Sequence, residues 1–189
     1  MNPLSDPITP PAMPALHEAP LREIASKHQD SRAQCMALQA LIKHIAIWGA
    51  DSDAQSKAED ILHHFDVPAR ECQEVEAQHL FPAIIESMAG SDAVCLRGMT
   101  EGLSNMLHAL QRRWNAQLRP RLLRIANGES IELSAADVQA FCDEYSAYAE
   151  CADTELLPMA ERLLTDAQIE LLDQAMQQHR YSRDSGRLP

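Results

Sequence analysis

The apolar residues of this chain recur every three or four positions over four long segments, and the first three segments each end at a single glycine. Gly49, Gly90 and Gly128 stand where a helix commonly stops, because glycine adopts the left-handed backbone of a helix end without steric cost. Such spacing is typical of amphipathic helices that bury one face. The pattern predicts long helices at about residues 21–48, 53–88, 91–126 and 134–163, and a shorter one at about 166–179.

Composition removes the main alternative, which is a β-sheet fold. Val and Thr together number eight and glycine six, whereas a sandwich or barrel needs many β-branched residues and turn glycines. Four amphipathic helices joined by short loops instead predict an all-α, up-down-up-down four-helix bundle with a short extra C-terminal helix. Pro68 and Pro120 fall inside the helical patterns, so a kink or local break is expected at each.

The two ends of the chain differ from this helical middle. Six of the eleven prolines lie in the first twenty residues, and a stretch so rich in proline does not continue as a regular helix. We therefore expect a disordered Pro-rich tail at residues 1–17, the bundle domain at residues 18–180, and a flexible C-terminal tail at residues 181–189.

Charge and cysteine content limit the classes of partner that the protein is expected to bind and the cellular compartment that it suits. The chain has 16 basic and 28 acidic side chains and a net charge of −12, which disfavours binding to nucleic acid or to an anionic membrane. Its five cysteines are an odd number without a Cys-x-x-Cys pair, so a disulfide framework is not expected. The sequence shows neither a signal-peptide pattern nor an apolar run long enough to span a membrane. A cytoplasmic protein without nucleic-acid or membrane partners is predicted.

Polar side chains on the predicted inner faces mark the candidate site. His28 lies on the apolar stripe of the first helix, and Cys72 and Glu76 lie one turn apart on the stripe of the second. Side chains at i and i+4 point to the same spot, and helix bundles build metal sites in this way. Each residue also has a structural alternative: a hydrogen-bonded core histidine, a small apolar cysteine and a buried ion-paired glutamate. Tyr148 is either a core aromatic or a phenolate ligand of ferric iron. Asp153, next to the inner position Ala152, either turns inward or lies on a solvated face, and the solvated face is preferred.

Four stretches of the chain are similar to the hemerythrin-like (HHE cation-binding) family. They read ASKHQDSRAQC, HHFDVPARECQEVEAQHLFPAI, LSNMLHALQRRW and YSAYAECADTELLPMAERLL, and together they span most of the region between the two tails. The resemblance implies a four-helix bundle that holds a non-haem di-iron centre, with one histidine from the first helix and further histidines and carboxylates from the later ones.

The ligand set that the resemblance implies is incomplete in this chain. His28 matches the first-helix histidine and Glu76 the second-helix carboxylate, while Cys72 replaces the second-helix histidine. His108 is displaced by one residue from the expected third-helix ligand, and Tyr148 stands where the fourth helix has a histidine. The remaining ligand positions hold Leu107, Gln111 and Ala152. The candidate metal ligands are therefore His28, Cys72, Glu76, Tyr148 and His108, and the cofactor is iron (mononuclear or atypical di-iron), zinc, or none.

Three functions stay open at the level of the sequence. The first is a hemerythrin-like protein that binds or senses iron, dioxygen or nitric oxide through an altered metal site. The second is a metal-free interaction or regulatory bundle with a protein partner, since losing histidines and carboxylates together avoids unpaired buried charges. The third is a di-iron enzyme acting on dioxygen, peroxide or nitric oxide, which needs two bridging carboxylates where the sequence offers Glu76. A binding role is preferred over an enzymatic one.

Overall fold

The helical periodicity of the sequence is realised along the described part of the chain. The computed structural model describes residues 19–88 and 91–185, and within them the backbone forms helices and connecting turns without a β-strand. Five helical stretches follow in chain order, and we number them first to fifth: Ala19–Trp48, 52–86, 91–126, 135–163 and Asp166–Ser185. The prediction of an all-α fold is confirmed.

The helix ends follow the residues that the sequence marks for them. Gly49 and Gly128 have positive φ angles of 70° and 81°, which a side chain would strain, and each follows the last turn of a helix. Ser134 caps the fourth helix, because its hydroxyl accepts a hydrogen bond from the backbone N–H of Asp137 at 3.2 Å. Gly90 lies outside the described residues.

The second helix is interrupted where the sequence predicts a break. Its first α-helical part ends at Asp66, and Val67 has φ −123° and ψ −84°, which is not helical backbone. Pro68 then occupies the first turn of the next α-helical part, Pro68–Val75, where its missing N–H leaves no intrahelical bond unmade.

Three of the four long helices contain one π-helical turn each. These turns are Glu76–Leu80, Trp114–Leu118 and Ala152–Leu156, and each one ends in the same Leu-x-Pro sequence, at Pro82, Pro120 and Pro158. Proline lacks the N–H that would continue the α ladder, and its ring crowds the carbonyl four residues earlier. A wider turn relieves both problems. Because a π turn contains one extra residue, it also changes which side chains face the core.

The four long helices pack around one core. The first helix contacts the second and the fourth, the second contacts the third, and the third contacts the fourth. Four aromatic side chains fill one level of this core, with Phe65 at ring-centroid distances of 4.9 Å from Trp114 and 5.1 Å from Phe141, and Tyr145 beside them. The apolar stripes read from the sequence therefore meet in a helical bundle.

The expected tails lie largely beyond the described part of the chain. Residues 1–17 and 186–189 are outside it, while the fifth helix continues to Ser185, past the end that was predicted near His179. Among the helices that the structure describes, none is both long enough and apolar enough to span a bilayer.

Candidate metal centre

The first two helices bring three potential metal ligands together. Within the described residues, one ligand atom from each of His28, Cys72 and Glu76 lies within 4.8 Å of the other two. His28 comes from the first helix, Cys72 from Pro68–Val75, and Glu76 from the start of the π turn that follows. The exposed fractions are 1%, 8% and 0%. The sequence placed these three residues on facing apolar stripes, and the structure brings them together.

The polar atoms of this cluster are close to one another but poorly satisfied. His28 Nε2 is 3.2 Å from Glu76 Oε1, at ion-pair distance but without hydrogen-bond alignment. The Cys72 thiol donates to Glu76 Oε2 at 3.9 Å, which is a weak contact. Three buried atoms lack a hydrogen-bond partner among the described residues, namely His28 Nε2, Glu76 Oε1 and the Tyr148 hydroxyl. Such atoms are rare in protein interiors, and a cation would satisfy them.

Asp153 lies beside the cluster, although the sequence favoured a solvated face for it. Its Oδ1 is 2.6 Å from His28 Nδ1, its Oδ2 accepts a hydrogen bond from Arg32 at 2.8 Å, and its side chain is 23% exposed. Asp153 lies in the π turn Ala152–Leu156, directly after the buried Ala152, and its carboxylate reaches the first helix from there. The Leu-x-Pro sequence that ends this turn was the available signal.

Tyr148 covers the cluster from the fourth helix. Its ring meets the His28 ring edge-on, with centroids 5.6 Å apart and an interplanar angle of 81°, and the side chain is fully buried. Burial raises the pKa of Tyr148 well above its usual value, and the nearby Glu76 carboxylate raises it further. The phenol is therefore protonated when no cation is present, so Tyr148 acts as a wall of the site with a hydroxyl turned toward Glu76.

The protonation state of the cluster follows from burial and from two carboxylates. Burial alone would lower the pKa of His28, but Glu76 and Asp153 outweigh it and raise that pKa to about 9. Burial also raises the pKa of the Cys72 thiol well above its usual value, with a further contribution from Glu76. Near neutral pH the cluster thus holds an imidazolium and a neutral thiol. Metal binding requires imidazole and thiolate, so it would release protons.

His108 lies apart from this cluster. Its side chain is exposed and lines a surface groove of about 810 Å³ between the second and third helices. Leu107, buried to 3% exposure, and Gln111 line the same groove. Within the part of the chain that the structure describes, the third helix adds no His, Cys, Asp or Glu to the group around His28.

Comparison with known proteins adds no assignment to this geometry. No protein-family model matches the chain, and no curated protein matches it. The hemerythrin-like resemblance therefore stays a prediction from the sequence. The fold and the site define a helical protein with a buried group of one nitrogen, one sulfur and one oxygen donor that could hold a metal ion.

Proposed function

We propose that the chain is an up-down-up-down four-helix bundle of the hemerythrin-like kind that binds one transition-metal ion, zinc or iron, at His28, Cys72 and Glu76. The observation that carries this proposal is the set of buried polar atoms without a hydrogen bond beside a buried thiol. Imidazole, thiolate and carboxylate together are a donor set that zinc and iron accept. The Asp153 carboxylate on the far nitrogen of His28 supports it, because metal-bound histidines usually have such a partner.

The proposed role of the ion is to hold or sense a small ligand. Three protein donors are fewer than structural zinc sites use, so a bound ion would keep an open coordination position for dioxygen, nitric oxide or a similar molecule. The surrounding residues hold the site in place: Asp153 orients His28, and Tyr148 shields the cluster from water. A binding or sensing role follows from this arrangement, and it needs no second carboxylate bridge.

Metal titration of the full chain tests this proposal. After chelator treatment, the protein should bind about one equivalent of cobalt(II), zinc or ferrous iron, and the cobalt form should show a thiolate charge-transfer band. Cys72→Ser should abolish the band, and Glu76→Gln should weaken binding at least about tenfold. Cys142→Ser and Glu144→Gln are matched controls outside the cluster and should bind like the parent. A band that survives in Cys72→Ser would contradict the proposal.

A metal-free regulatory bundle is the second candidate, and one observation favours it. His28 lies between Glu76 and Asp153 and is charged at neutral pH, so the cluster neutralises part of its own charge without a cation. Under this reading, zinc and chelator leave the melting temperature unchanged, and no metal copurifies. A di-iron enzyme, with Asp153 as a second carboxylate, would instead take two iron equivalents per chain. The titration separates all three.

A further inference from the structure

The fifth helix lies directly over the stretches that carry the cluster. It contacts the first helix, Pro68–Val75 and the π turn Glu76–Leu80, which supply His28, Cys72 and Glu76 respectively. Apolar side chains on one face hold it there, and they are Ile169, Leu172, Ala175 and Met176. A route into the cluster from this side therefore runs beneath the fifth helix.

A small cavity lies beneath this helix and reaches Cys72. It has a volume of about 30 Å³, and its walls include Lys27 from the first helix, Cys72 from the second, and Met176 and His179 from the fifth. Of the three clustered donors, Cys72 retains the largest exposed fraction, 8%, against 1% for His28 and 0% for Glu76. A volume of this size holds about one water molecule. Whatever reaches the cluster here therefore meets the Cys72 thiol first.

One ion pair fastens the fifth helix to the first at this cavity. Arg180 Nη1 donates to both carboxylate oxygens of Glu23 at 2.7 Å, and both residues line the cavity. Arg180 Nη2 is also 3.9 Å from Asp173 on its own helix. The side chains of Arg180 and Glu23 are 40% and 33% exposed, so solvent screens the pair and separating it requires little free energy.

We propose that the fifth helix is the gate of the candidate metal centre and that the Arg180–Glu23 ion pair is its latch. When the latch opens, the end of the fifth helix separates from the first helix, and the cavity at Cys72 widens to admit a metal ion or a small ligand. Helices that pack on the outside of a domain through few apolar side chains open locally at a lower free-energy cost than core helices do. The metal part of this proposal rests on the proposed function above, whereas the access to Cys72 does not.

Thiol labelling of the chelator-treated chain tests the gate. Methyl methanethiosulfonate is the small reagent and a fluorescein maleimide the bulky one, with mass spectrometry of peptides reading each cysteine separately. In the parent protein, exposed Cys95 should label first with both reagents, and Cys72 should label with the small one well before the bulky one. Arg180→Gln and Glu23→Gln should each raise the Cys72 rate about fivefold, the effect of losing one ion pair of this kind.

Internal and matched controls decide whether the effect is local. Cys35 is buried between the first and fourth helices, near Cys142, and its rate should stay unchanged. Arg113→Gln removes a similarly bidentate pair, to Glu144, at a distance from the cavity lining, and it should leave Cys72 unchanged. The charge-swapped double variant Glu23→Arg with Arg180→Glu should restore the parental Cys72 rate. Unchanged Cys72 labelling in the latch variants, or an equal rise at Cys35, would overturn the gate.

The outcome for the gate and the outcome for metal binding can be told apart. Suppose that the chain takes up no metal, while Cys72 is labelled selectively in the latch variants. That result would refute the proposed function and keep the gate. If instead the chain binds zinc but Cys72 labels at the parental rate in both latch variants, the gate is refuted and the proposed function is kept. If both proposals hold, transfer of bound zinc to a competing chelator should also be about fivefold faster in Arg180→Gln.

Discussion

The His28 imidazole lies between two carboxylates, with Asp153 at Nδ1 and Glu76 at Nε2. An imidazole that donates its Nδ1–H to a carboxylate keeps the Nε2 lone pair for a metal and has its ring orientation fixed. The 2.6 Å separation from Asp153 is that of a charge-assisted hydrogen bond. Arg32 binds the other Asp153 oxygen, which holds this carboxylate in position.

We expect Asp153→Asn to weaken metal binding without unfolding the protein. The amide oxygen can still accept a hydrogen bond from Nδ1–H of His28. The substitution removes one of the two negative charges that stabilise the imidazolium and make the ring a more basic ligand. Zinc affinity, measured by competition with a chromophoric chelator, should fall about 10- to 100-fold. In the metal-free protein, NMR titration should show a lower pKa for His28. Asp143→Asn, an exposed change on the same helix, should alter neither quantity.

The candidate ligands differ in how far the sequence could locate them. His28, Cys72 and Glu76 could be predicted to converge, because each falls on an apolar stripe and the latter two are one helical turn apart. Asp153 was expected on a solvated face, because it lies one position away from Ala152 on the apolar stripe and the π turn that contains it was not predicted. His108 was a candidate ligand only because it lies one residue from the position where the hemerythrin-like resemblance implies a third-helix ligand. In the structure it is on the exposed side of the third helix. A shift of one residue moves a side chain by about 100° around a helix.

At the level of whole elements, the three π turns are the feature that most affects the site. One of them begins at Glu76 and another contains Asp153, so both carboxylates beside His28 lie in the first two residues of a π turn. Helix boundaries followed from glycines, caps and periodicity, which are local signals. The π turns were not predicted by the same analysis, because apolar residues still recur every four positions across each turn, as at Trp114, Leu118 and Leu122. The repeated Leu-x-Pro sequence is their physical cause and could have revealed them.

Deletion of Thr154 should convert the fourth-helix π turn into regular α-helix. Thr154 is exposed and lies just after Asp153, so its removal shortens the turn by one residue while the downstream apolar residues keep their faces. Asp153 then turns away from His28, and zinc affinity should fall about 10- to 100-fold, as in Asp153→Asn. Deletion of Asn115, exposed in the third-helix π turn, is the matched control. It should keep the affinity, and equal losses in both deletions would contradict this account.

Asp66 joins the break in the second helix to the third helix. Its carboxylate accepts hydrogen bonds from the indole N–H of Trp114 at 2.8 Å and from Arg119 at 2.8 Å. Trp114 is only 6% exposed, so removing the acceptor leaves a nearly buried donor unpaired. Asp66→Ala should therefore lower the free energy of unfolding by about 1–3 kcal/mol in urea denaturation followed by circular dichroism. Asp60→Ala, at an exposed position of the same helix, should cost less than about 0.5 kcal/mol.

For the molecule as a whole, exposed ion pairs and buried histidines affect stability differently. The net charge is −12, yet arginines of the third helix pair with acidic residues of other segments, as in Arg113–Glu144, Arg119–Asp66 and Arg121–Asp137. Exposed pairs of this kind contribute little each. The buried histidines matter more for pH dependence, because burial amplifies any difference between their folded and unfolded pKa values.

Two buried histidines have pKa values displaced in opposite directions. Burial lowers the pKa of His64 from 6.5 to about 4, and its Nε2 is 2.7 Å from the Ser31 hydroxyl. For His28, burial is outweighed by Glu76 and Asp153, and its pKa rises from 6.5 to about 9. Below pH 6.5 the unfolded chain takes up a proton that folded His64 refuses, so stability falls toward pH 4. Above pH 6.5 the unfolded chain releases a proton that folded His28 keeps, so stability falls toward pH 9.

The metal-free protein should therefore be most stable near pH 6.5, with each of these histidines contributing a loss of up to about 3 kcal/mol on its own side of the maximum. Urea denaturation in the presence of chelator, repeated from pH 4 to pH 9.5, measures this curve. His64→Gln should flatten the acidic side while the adjacent, exposed His63→Gln leaves it unchanged, and Glu76→Gln should flatten the alkaline side. Saturating zinc should reverse the alkaline slope, because metal binding to His28 and Cys72 releases protons and strengthens as the pH rises. An alkaline side that is the same in Glu76→Gln as in the parent would mean that Glu76 does not hold the proton on His28.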